Sequence, residues 1–365
     1  VSAARAALRL ERRSGRRLAI DDWIVIVAYA AGMIAIGWYC SRRAATTEDY
    51  LLGGRTMKPW AVGLSLFATL LSTISYLAIP GEMIRHGPMI ISQVLAFPLI
   101  FVVVGWLLIP RFMRLEATSA NELLEQKLGV EIRILGAVFF LAMRLFWMAV
   151  IIYATTDKVL IPLLGWPSWT TPYACAVLGA ITVTYTSLGG IRAVVITDVV
   201  QTCVLLLGAG VSMALITMDQ GGVAGWWPTE WVATWDPPKF WFEPGSRTTV
   251  MTVLLSVFLW HVCTAGSDQM AVQRYLSTRD AAAARRMFAT SLGVNAVAMT
   301  FLALLGLALL AFFVDHPYLL GDGQSVEANA DQLLPRFILI GLPQRLRALV
   351  VAALLAAAMS SLSSG

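Results

Sequence analysis

The chain is built from long apolar runs, each close to the length of a helix that crosses a membrane. Such a helix needs roughly 20 mostly apolar residues. Of the 365 residues, 58% are hydrophobic and 13% are charged, whereas soluble domains average about 25% charged residues. The runs do not alternate in polarity as the strands of a membrane β-barrel do. The sequence therefore predicts an all-α, multi-pass protein of the cell membrane.

About nine segments are predicted to span the bilayer. The loops after the first, third, fifth and seventh spans hold more Lys and Arg than the other loops, which places them in the cytoplasm. The tryptophan-rich loop, residues 219–248, is then outside, at the membrane interface. The same rule leaves the arginines of residues 1–20 outside, a conflict that the sequence leaves open. The spans are predicted at about 23–40, 60–84, 89–109, 134–160, 172–186, 193–218, 249–272, 287–314 and from 346 onward.

Several function classes lack support in the sequence. The four cysteines lie within apolar runs, and their spacing matches no zinc or redox motif. No Gly-rich phosphate loop, His-rich metal motif or nucleophile elbow is present in the sequence. The formal net charge of +5 suits basic cytoplasmic loops and does not by itself imply nucleic acid. We therefore expect neither an enzyme nor a nucleic-acid-binding protein.

The second span is a poor continuous helix. Its segment "LFATLLSTISYLAIPG", residues 66–81, combines small hydroxyl side chains with Pro80 and Gly81. Broken helices whose freed backbone groups hold sodium near the bilayer midplane recur in transporters. A break in this span is therefore a candidate cation site.

Four charged residues fall at or near membrane depth, where charge is costly and often functional. Asp198 is either a residue of the first helical turn, stabilised by the helix dipole, or a cation ligand or proton carrier. Arg144 either pairs with an acid or binds an anionic substrate. Asp268 fits a capping or gating ion pair, with an arginine such as Arg274, as well as a role in transport. Glu82 is expected to reach water at the outer end of its span.

Serines crowd the end of the last apolar run, "AAAMSSLSSG". Residues three and four apart share one face of a helix, so Ser360, Ser363 and Ser364 cluster, with Ser361 beside them. A single serine in a membrane helix usually bonds its own backbone or allows close packing. Four together form a strip of hydroxyl oxygens, the ligand type that hard cations take.

Four segments, in the same order along the chain, resemble motifs of the sodium/solute symporter family, which includes the sodium/glucose, sodium/proline and sodium/iodide carriers. They resemble the family's first core helix with the loop before it, the turn into the fifth, the end of the sixth, and the eighth. The segments are "DYLLGGRTMKPWAVGLSLFATLLSTISYLAIPGE", "SLGGIRAVVITDVVQT", "GSDQMAVQRYLS" and "AAAMSSLSS".

The resemblance implies a LeuT-type transporter fold, with two inverted five-helix repeats and here one extra leading helix. It predicts that the chain stops within its second repeat, after three helices. The implied division is a basic segment at 1–20, a leading helix at 21–43, a first repeat at 58–218, the extracellular tryptophan-rich loop at 219–248, and an incomplete second repeat at 249–365.

The resemblance also implies the ion ligands. A first sodium ion would take the carbonyl oxygens of Ala68, Leu71 and Ala357 and the hydroxyls of Ser360 and Ser361. Some members hold a second sodium ion, and the matching positions here are Asp198, Ser363 and Ser364. We therefore expect sodium as the coupling ion, at two sites.

Solute-binding positions match the family less closely. Leu70, Ala265 and Gly266 stand where sugar carriers have polar or aromatic residues, and the proline carriers have an aspartate at the position of Leu70. His261, in an apolar helix, is as compatible with a core histidine as with a solute ligand. The candidates are Ser75, Gln93, Trp260, His261 and Thr264, with Tyr76 and Trp147 as walls and Arg144 as a site for an anionic group.

The sequence thus predicts a symporter that uses inward sodium flow to import a small organic solute by alternating access. The alternative is a sensor, because some related chains fuse this fold to a signalling domain. We expect contacts with membrane lipid and with the solute, and none with nucleic acid. The solute itself and the oligomeric state are not indicated.

Overall fold

The computed structural model describes residues 20–42, 46–114, 120–320, 324–342 and 344–364. The basic segment predicted at residues 1–20 lies outside the described residues except for its last position. Within the described ranges the secondary structure is helical, with no strands. Six of these helices are long and apolar enough to cross a membrane, and one bent pair adds a seventh.

The main helices are labelled in chain order. The leading helix α1 is followed by a short surface helix α2, by the bent pair α3 and α4, and by the long helices α5, α7 and α8. A second discontinuous pair, α9 and α10, precedes α11. The bounds are α1 Ile20–Ser41, α2 Thr47–Leu52, α3 Pro59–Leu70, α4 Thr73–His86, α5 Pro88–Met113, α6 Ala120–Leu128, α7 Val130–Thr155 with continuing turns to Leu164, α8 Thr171–Asp219, α9 Val250–Ser267, α10 Gln269–Leu276, α11 Ala281–Asp315, α12 Ala330–Ile340 and α13 Gln344–Ser364.

The second apolar segment is broken, and the two halves meet at an angle of 69°. The break lies at Leu71 and Ser72, which have extended backbone. Ser72 caps α4, because its hydroxyl accepts a hydrogen bond from the Ser75 backbone N–H. Pro80 and Gly81 lie inside α4 and do not end it. The break therefore coincides with serine capping chemistry and lies a little over two turns, at about 3.6 residues per turn, before the proline.

The fifth and sixth predicted spans form one element, α8, with a sharp bend at Gly190. Gly190 has φ 58° and ψ −161°, a conformation that residues with a Cβ rarely adopt. A Cβ there would also lie 2.5 Å from the Tyr50 carbonyl oxygen of α2. The two arms of α8 pack mainly against α13 and α1, so α8 links the leading helix to the serine-rich helix.

The seventh predicted span is also discontinuous, which the sequence did not predict. Asp268 has extended backbone between α9 and α10. Its carboxylate accepts a hydrogen bond from the Met270 backbone N–H and so caps α10. This confirms the capping role considered for Asp268. Two breaks, one in the α3–α4 pair and one in the α9–α10 pair, therefore face the interior of the bundle.

The tryptophan-rich loop lies against the end of α4. Trp235 is buried and donates from its indole N–H to the Ile84 carbonyl at 3.1 Å. Glu82 of α4 pairs with Arg247 at 2.9 Å, and Arg85 pairs with Asp331 of α12 at 2.8 Å. These contacts hold one end of α4 to two different segments.

We expect Gly306→Ala to destabilise the protein, because α11 touches α4 at this point. A Cβ at Gly306 would lie 2.6 Å from the Pro80 carbonyl oxygen, and overpacking of this kind costs about 1–3 kcal/mol. Gly293→Ala is the matched control on the same helix, since a Cβ there meets nothing within 4 Å. Thermal unfolding in detergent measures both. Equal midpoints for the two variants would contradict the close contact.

Candidate sodium and solute site

The serine strip of α13 faces the break between α3 and α4. Ser360, Ser361 and Ser363 are buried. The Ser361 hydroxyl lies 3.5 Å from the Leu71 carbonyl oxygen, and the last carbonyls of a helix have no partner within that helix. The structure thus brings two of the predicted first-sodium ligands together across 290 residues of sequence.

A small cavity lies between α3, α8 and α13, which we call the α3–α13 cavity. Two side-chain oxygens of α8 residues that line it, Gln201 Oε1 and Thr202 Oγ1, are buried and have no hydrogen-bond partner in the described part of the chain. Neither residue was a predicted ligand. Unpartnered buried oxygens are available to bind a water molecule or an ion. The cavity is lined by Phe67, Ala68, Leu71, Gln201, Thr202, Leu205, Ala356, Ala357 and Ser360.

Asp198 is fully buried beside this cavity and is surrounded by hydroxyl groups. Its Oδ1 accepts a hydrogen bond from Ser360 at 2.9 Å. Its Oδ2 accepts one from Ser65 at 2.6 Å and a longer one from Ser364 at 3.5 Å. The carboxylate therefore joins α3, α8 and α13, and Ser360 connects it to the α3–α13 cavity.

Ser363 and Ser364, the other predicted second-sodium ligands, point to different partners. The Ser363 hydroxyl donates to the Ser360 carbonyl at 3.0 Å. The Thr69 hydroxyl lies 2.8 Å from the Ser364 hydroxyl. Ser364 is thus next to Asp198, whereas Ser363 bonds the backbone of its own helix.

Arg274 is the partner of Asp198, and sequence reasoning did not predict this pair. The arginine lies on α10, is 2% exposed, and has its Nη2 3.5 Å from Asp198 Oδ2. The same nitrogen donates to Thr69 at 2.6 Å and to Ser364 at 2.8 Å, while Nε donates to Ser65 at 3.1 Å. The sequence signal is limited to Asp198, a single charge within an apolar stretch, because Arg274 lies in the polar segment "SDQMAVQRYLS".

Asp268 pairs with Arg144, not with Arg274. The Arg144 Nη2 lies 2.9 Å and 3.2 Å from the two carboxylate oxygens of Asp268. Both side chains are mostly buried, at 15% and 18% exposure. Of the two alternatives for Arg144, pairing with an acid is therefore the one seen.

A larger cleft runs along α9 beside its break, which we call the α9 cleft. It encloses about 360 Å³, including the space at its open mouth. Three predicted solute residues, Trp260, His261 and Thr264, line it together with Asp268. The other lining residues are Leu66, Thr69, Leu70, Ala265, Met270, Ala271, Tyr275 and Phe288.

His261 presents an unused polar atom in this cleft. Its Nδ1 lies 2.9 Å from the Val257 carbonyl, and since a carbonyl oxygen only accepts, Nδ1 is the donor. Nε2 is buried and without a hydrogen-bond partner among the described residues. Trp260 packs edge-on against the ring, with centroids 4.9 Å apart. His261 thus retains one acceptor for a ligand.

The remaining solute candidates lie elsewhere. Tyr76 is fully buried, and its hydroxyl lies 3.5 Å from the Leu205 carbonyl of α8. Trp147 is 50% exposed on α7. Ser75 and Gln93 are partly buried, and the first turns of α5, which hold Gln93, pack against α9. These four are not among the described residues that line the α9 cleft.

The site is rich in hydroxyl, carbonyl and carboxylate oxygens, the ligand type that hard cations take. Among the described residues no three His, Cys, Asp or Glu side chains group together as a transition-metal site. The family model "Sodium:solute symporter family" matches residues 50–365. The chain belongs to the sodium:solute symporter family.

The relatives of this symporter are sodium-coupled carriers. The sodium/sialic acid symporter SiaT of Proteus mirabilis (strain HI4320) is 31% identical over 94% of this chain and 68% of its own length. The human sodium-coupled monocarboxylate transporter 1 is 31% identical over 87% of this chain and 52% of its own. The sodium/glucose cotransporter of Vibrio parahaemolyticus is 26% identical over 95% of this chain and 66% of its own.

A solved structure shows the same architecture. The substrate-bound, outward-open state of a Na⁺-coupled sialic acid symporter matches with a TM-score of 0.81 at 27% identity, covering 95% of this chain and 72% of that one. The predictions of a LeuT-type, multi-pass membrane fold, of sodium as the coupling ion and of a transporter that is not an enzyme are confirmed. The protein is a sodium-coupled solute symporter that works by alternating access, and its relatives favour this over a sensor.

Proposed function

We propose that this symporter imports a small organic acid together with two sodium ions. The solute class rests on one observation: Arg144 is paired with Asp268, and Asp268 lines the α9 cleft. The ion count rests on the two neighbouring groups of oxygens around Ser360.

The first sodium ion is proposed to bind at the α3–α13 cavity. Its ligands are the carbonyls freed at the end of α3 and the hydroxyls of the serine strip. The contact between Ser361 and Leu71 and the unpartnered oxygens of Gln201 and Thr202 support this location. The proposed ligands are the Ala68, Leu71 and Ala357 carbonyls and the Ser360 and Ser361 hydroxyls.

The second sodium ion is proposed to bind Asp198, Ser363 and Ser364. A carboxylate with several hydroxyls is a suitable set for a hard cation. Ser364 lies 3.5 Å from Asp198 Oδ2, and Ser360 bonds Asp198 Oδ1. Ser360 therefore touches both proposed sites, so the two ions are close enough to influence each other.

The solute is proposed to occupy the α9 cleft. The lining is almost entirely apolar, and the Trp260 indole, His261 with its unpartnered Nε2, and Thr264 lie along it. Small-molecule sites are mostly apolar with a few polar groups. Four further candidates do not line this cleft and would contact the solute only in another state of the transport cycle. They are Ser75, Tyr76, Gln93 and Trp147.

An organic acid suits the guanidinium donors of Arg144 beside the cleft. Arg144 reaches Asp268 through Nη2, and a guanidinium offers five donors, so a solute carboxylate can bind on its other edge. Relatives named for sialic acid and for monocarboxylates transport acids by name. With a monovalent acid and two sodium ions, one net positive charge enters per cycle and contributes about 2.3 kcal/mol per 100 mV of membrane potential.

We further propose that residues 58–218 form the first repeat and residues 249–365 the beginning of the second, with 21–43 as the leading helix. The matching breaks in the first helix of each part, α3–α4 and α9–α10, support this division. The loop at 219–248 is proposed to face outside and to contact lipid headgroups through its exposed Trp227, Trp231 and Trp241. The exposed apolar faces of α7 and α9 are proposed to contact lipid.

Arg144→Gln tests the solute class. In proteoliposomes with an inward sodium gradient, small carboxylic acids should inhibit uptake of an accepted solute much better than their neutral amides. The variant should raise the half-saturating concentration of the acid about 10- to 150-fold, because a hydrogen bond to a charged group contributes about 1.5–3 kcal/mol. Its sodium dependence should change little.

Arg133→Gln is the matched control, since Arg133 lies on the same helix, is exposed, and pairs with Glu125. Equal inhibition by acids and amides would show that the solute is not recognised as an acid. Uptake that ignores the sodium gradient would contradict symport itself.

A further inference from the structure

Arg274 already occupies the place of a cation at the proposed second sodium site. Its Nη2 contacts Asp198 and Ser364, two of the three proposed ligands of that ion, at 3.5 Å and 2.8 Å. The guanidinium also bonds Ser65 and Thr69 of α3. A buried arginine and a sodium ion would therefore compete for the same oxygens.

The charge balance of the pocket makes the competition strict. Asp198 supplies one negative charge and Arg274 one positive charge, and both are fully buried. The nearest other charged groups, Arg144 and Asp268, neutralise each other. Adding a sodium ion with Arg274 still in place would leave an uncompensated positive charge in a buried site, which is strongly unfavourable.

We propose that Arg274 is a tethered cation that holds Asp198 when the second sodium ion is absent and is displaced when that ion binds. This inference rests on the second sodium site proposed above. In the empty carrier, Arg274 neutralises Asp198. The empty binding site can then reorient to the outside of the membrane without a buried carboxylate that lacks a counter-charge. The arginine thus replaces the ion at one stage of the cycle.

Arg274 lies close to the break between α9 and α10. Arg274 lies on α10, which follows the break at Asp268. Asp268 caps α10 and also pairs with Arg144 at the α9 cleft. When the guanidinium leaves Asp198, the hydrogen bonds of Arg274 to Ser65 and Thr69 of α3 and to Ser364 of α13 are lost together. Occupation of the ion site is thereby transmitted to the helix next to the solute.

The test measures sodium binding by thermal stabilisation of the purified protein over a range of sodium concentrations. Arg274→Gln removes the competing charge and should lower the half-saturating sodium concentration about tenfold. In Arg274→Ala, added guanidinium ion at millimolar concentration should raise the half-saturating sodium concentration again. In the wild-type protein, guanidinium ion should leave the half-saturating sodium concentration unchanged. A purely structural role for the arginine predicts weaker sodium binding and no effect of guanidinium, and either result overturns the proposal.

Two further variants separate the possible failures. Arg274→Lys keeps a positive charge on a side chain of shorter reach, so its sodium affinity should lie between those of wild type and Arg274→Gln. This variant serves as the test if the neutral ones do not fold, and an affinity equal to wild type or weaker contradicts displacement. Asp198→Asn with Arg274→Gln should show no high-affinity second ion. If Asp198→Asn alone leaves sodium binding unchanged, the second site itself is wrong.

Discussion

Ser361→Ala is expected to reduce sodium-driven uptake to the sodium-independent background. The Ser361 hydroxyl is the group of α13 that reaches the Leu71 carbonyl at the end of α3. Its loss removes one oxygen from the proposed first sodium site and one contact between the serine strip and the break. A hydrogen bond to a charged group contributes about 1.5–3 kcal/mol, which corresponds to a rise of about 10- to 150-fold in the half-saturating sodium concentration.

Ser212→Ala is the control for this experiment. Ser212 is also a buried serine, but its hydroxyl donates to the Gly208 carbonyl of its own helix, α8. It should retain normal sodium dependence. Uptake by Ser361→Ala that saturates at the wild-type sodium concentration would exclude Ser361 as a ligand.

Asp198→Asn is expected to lower both stability and ion stoichiometry. The change leaves the buried Arg274 without its counter-charge, and removal of one partner of a buried ion pair costs about 3–5 kcal/mol. It also removes the only carboxylate among the proposed second-sodium ligands. Thermal unfolding reports the first effect, and the ratio of radioactive sodium to solute taken up reports the second, falling from two to one.

The double variant Asp198→Asn with Arg274→Gln distinguishes the two effects. Because it leaves no unpaired buried charge, much of the lost stability should return, in the non-additive manner of contacting residues. The sodium ratio should stay at one. A double variant as unstable as the sum of the single changes would show that the pair does not act as a unit.

The sequence predicted the broken second span and the serine-rich helix, but not which charged groups pair with each other. The broken second span and the serine strip follow from local chemistry, namely capping hydroxyls and residues spaced three and four apart. The break at Asp268 was missed because an aspartate that caps α10 is not distinguishable in sequence from one within a long apolar run. Arg274 was considered as a partner of Asp268, whereas the structure pairs it with Asp198 and pairs Asp268 with Arg144.

The apolar runs, the positions of the polar side chains within them and the four family motifs were enough to determine a membrane helix bundle, the symporter family and a strip of hydroxyl oxygens. These properties depend on local composition and spacing, which the sequence states directly. Tertiary structure alone decided which groups meet. Asp198 contacts Ser360 and Arg274 across 162 and 76 residues, and Arg144 reaches Asp268 across 124. Such pairings depend on the angles at which the broken helices pack, and no local pattern encodes those angles.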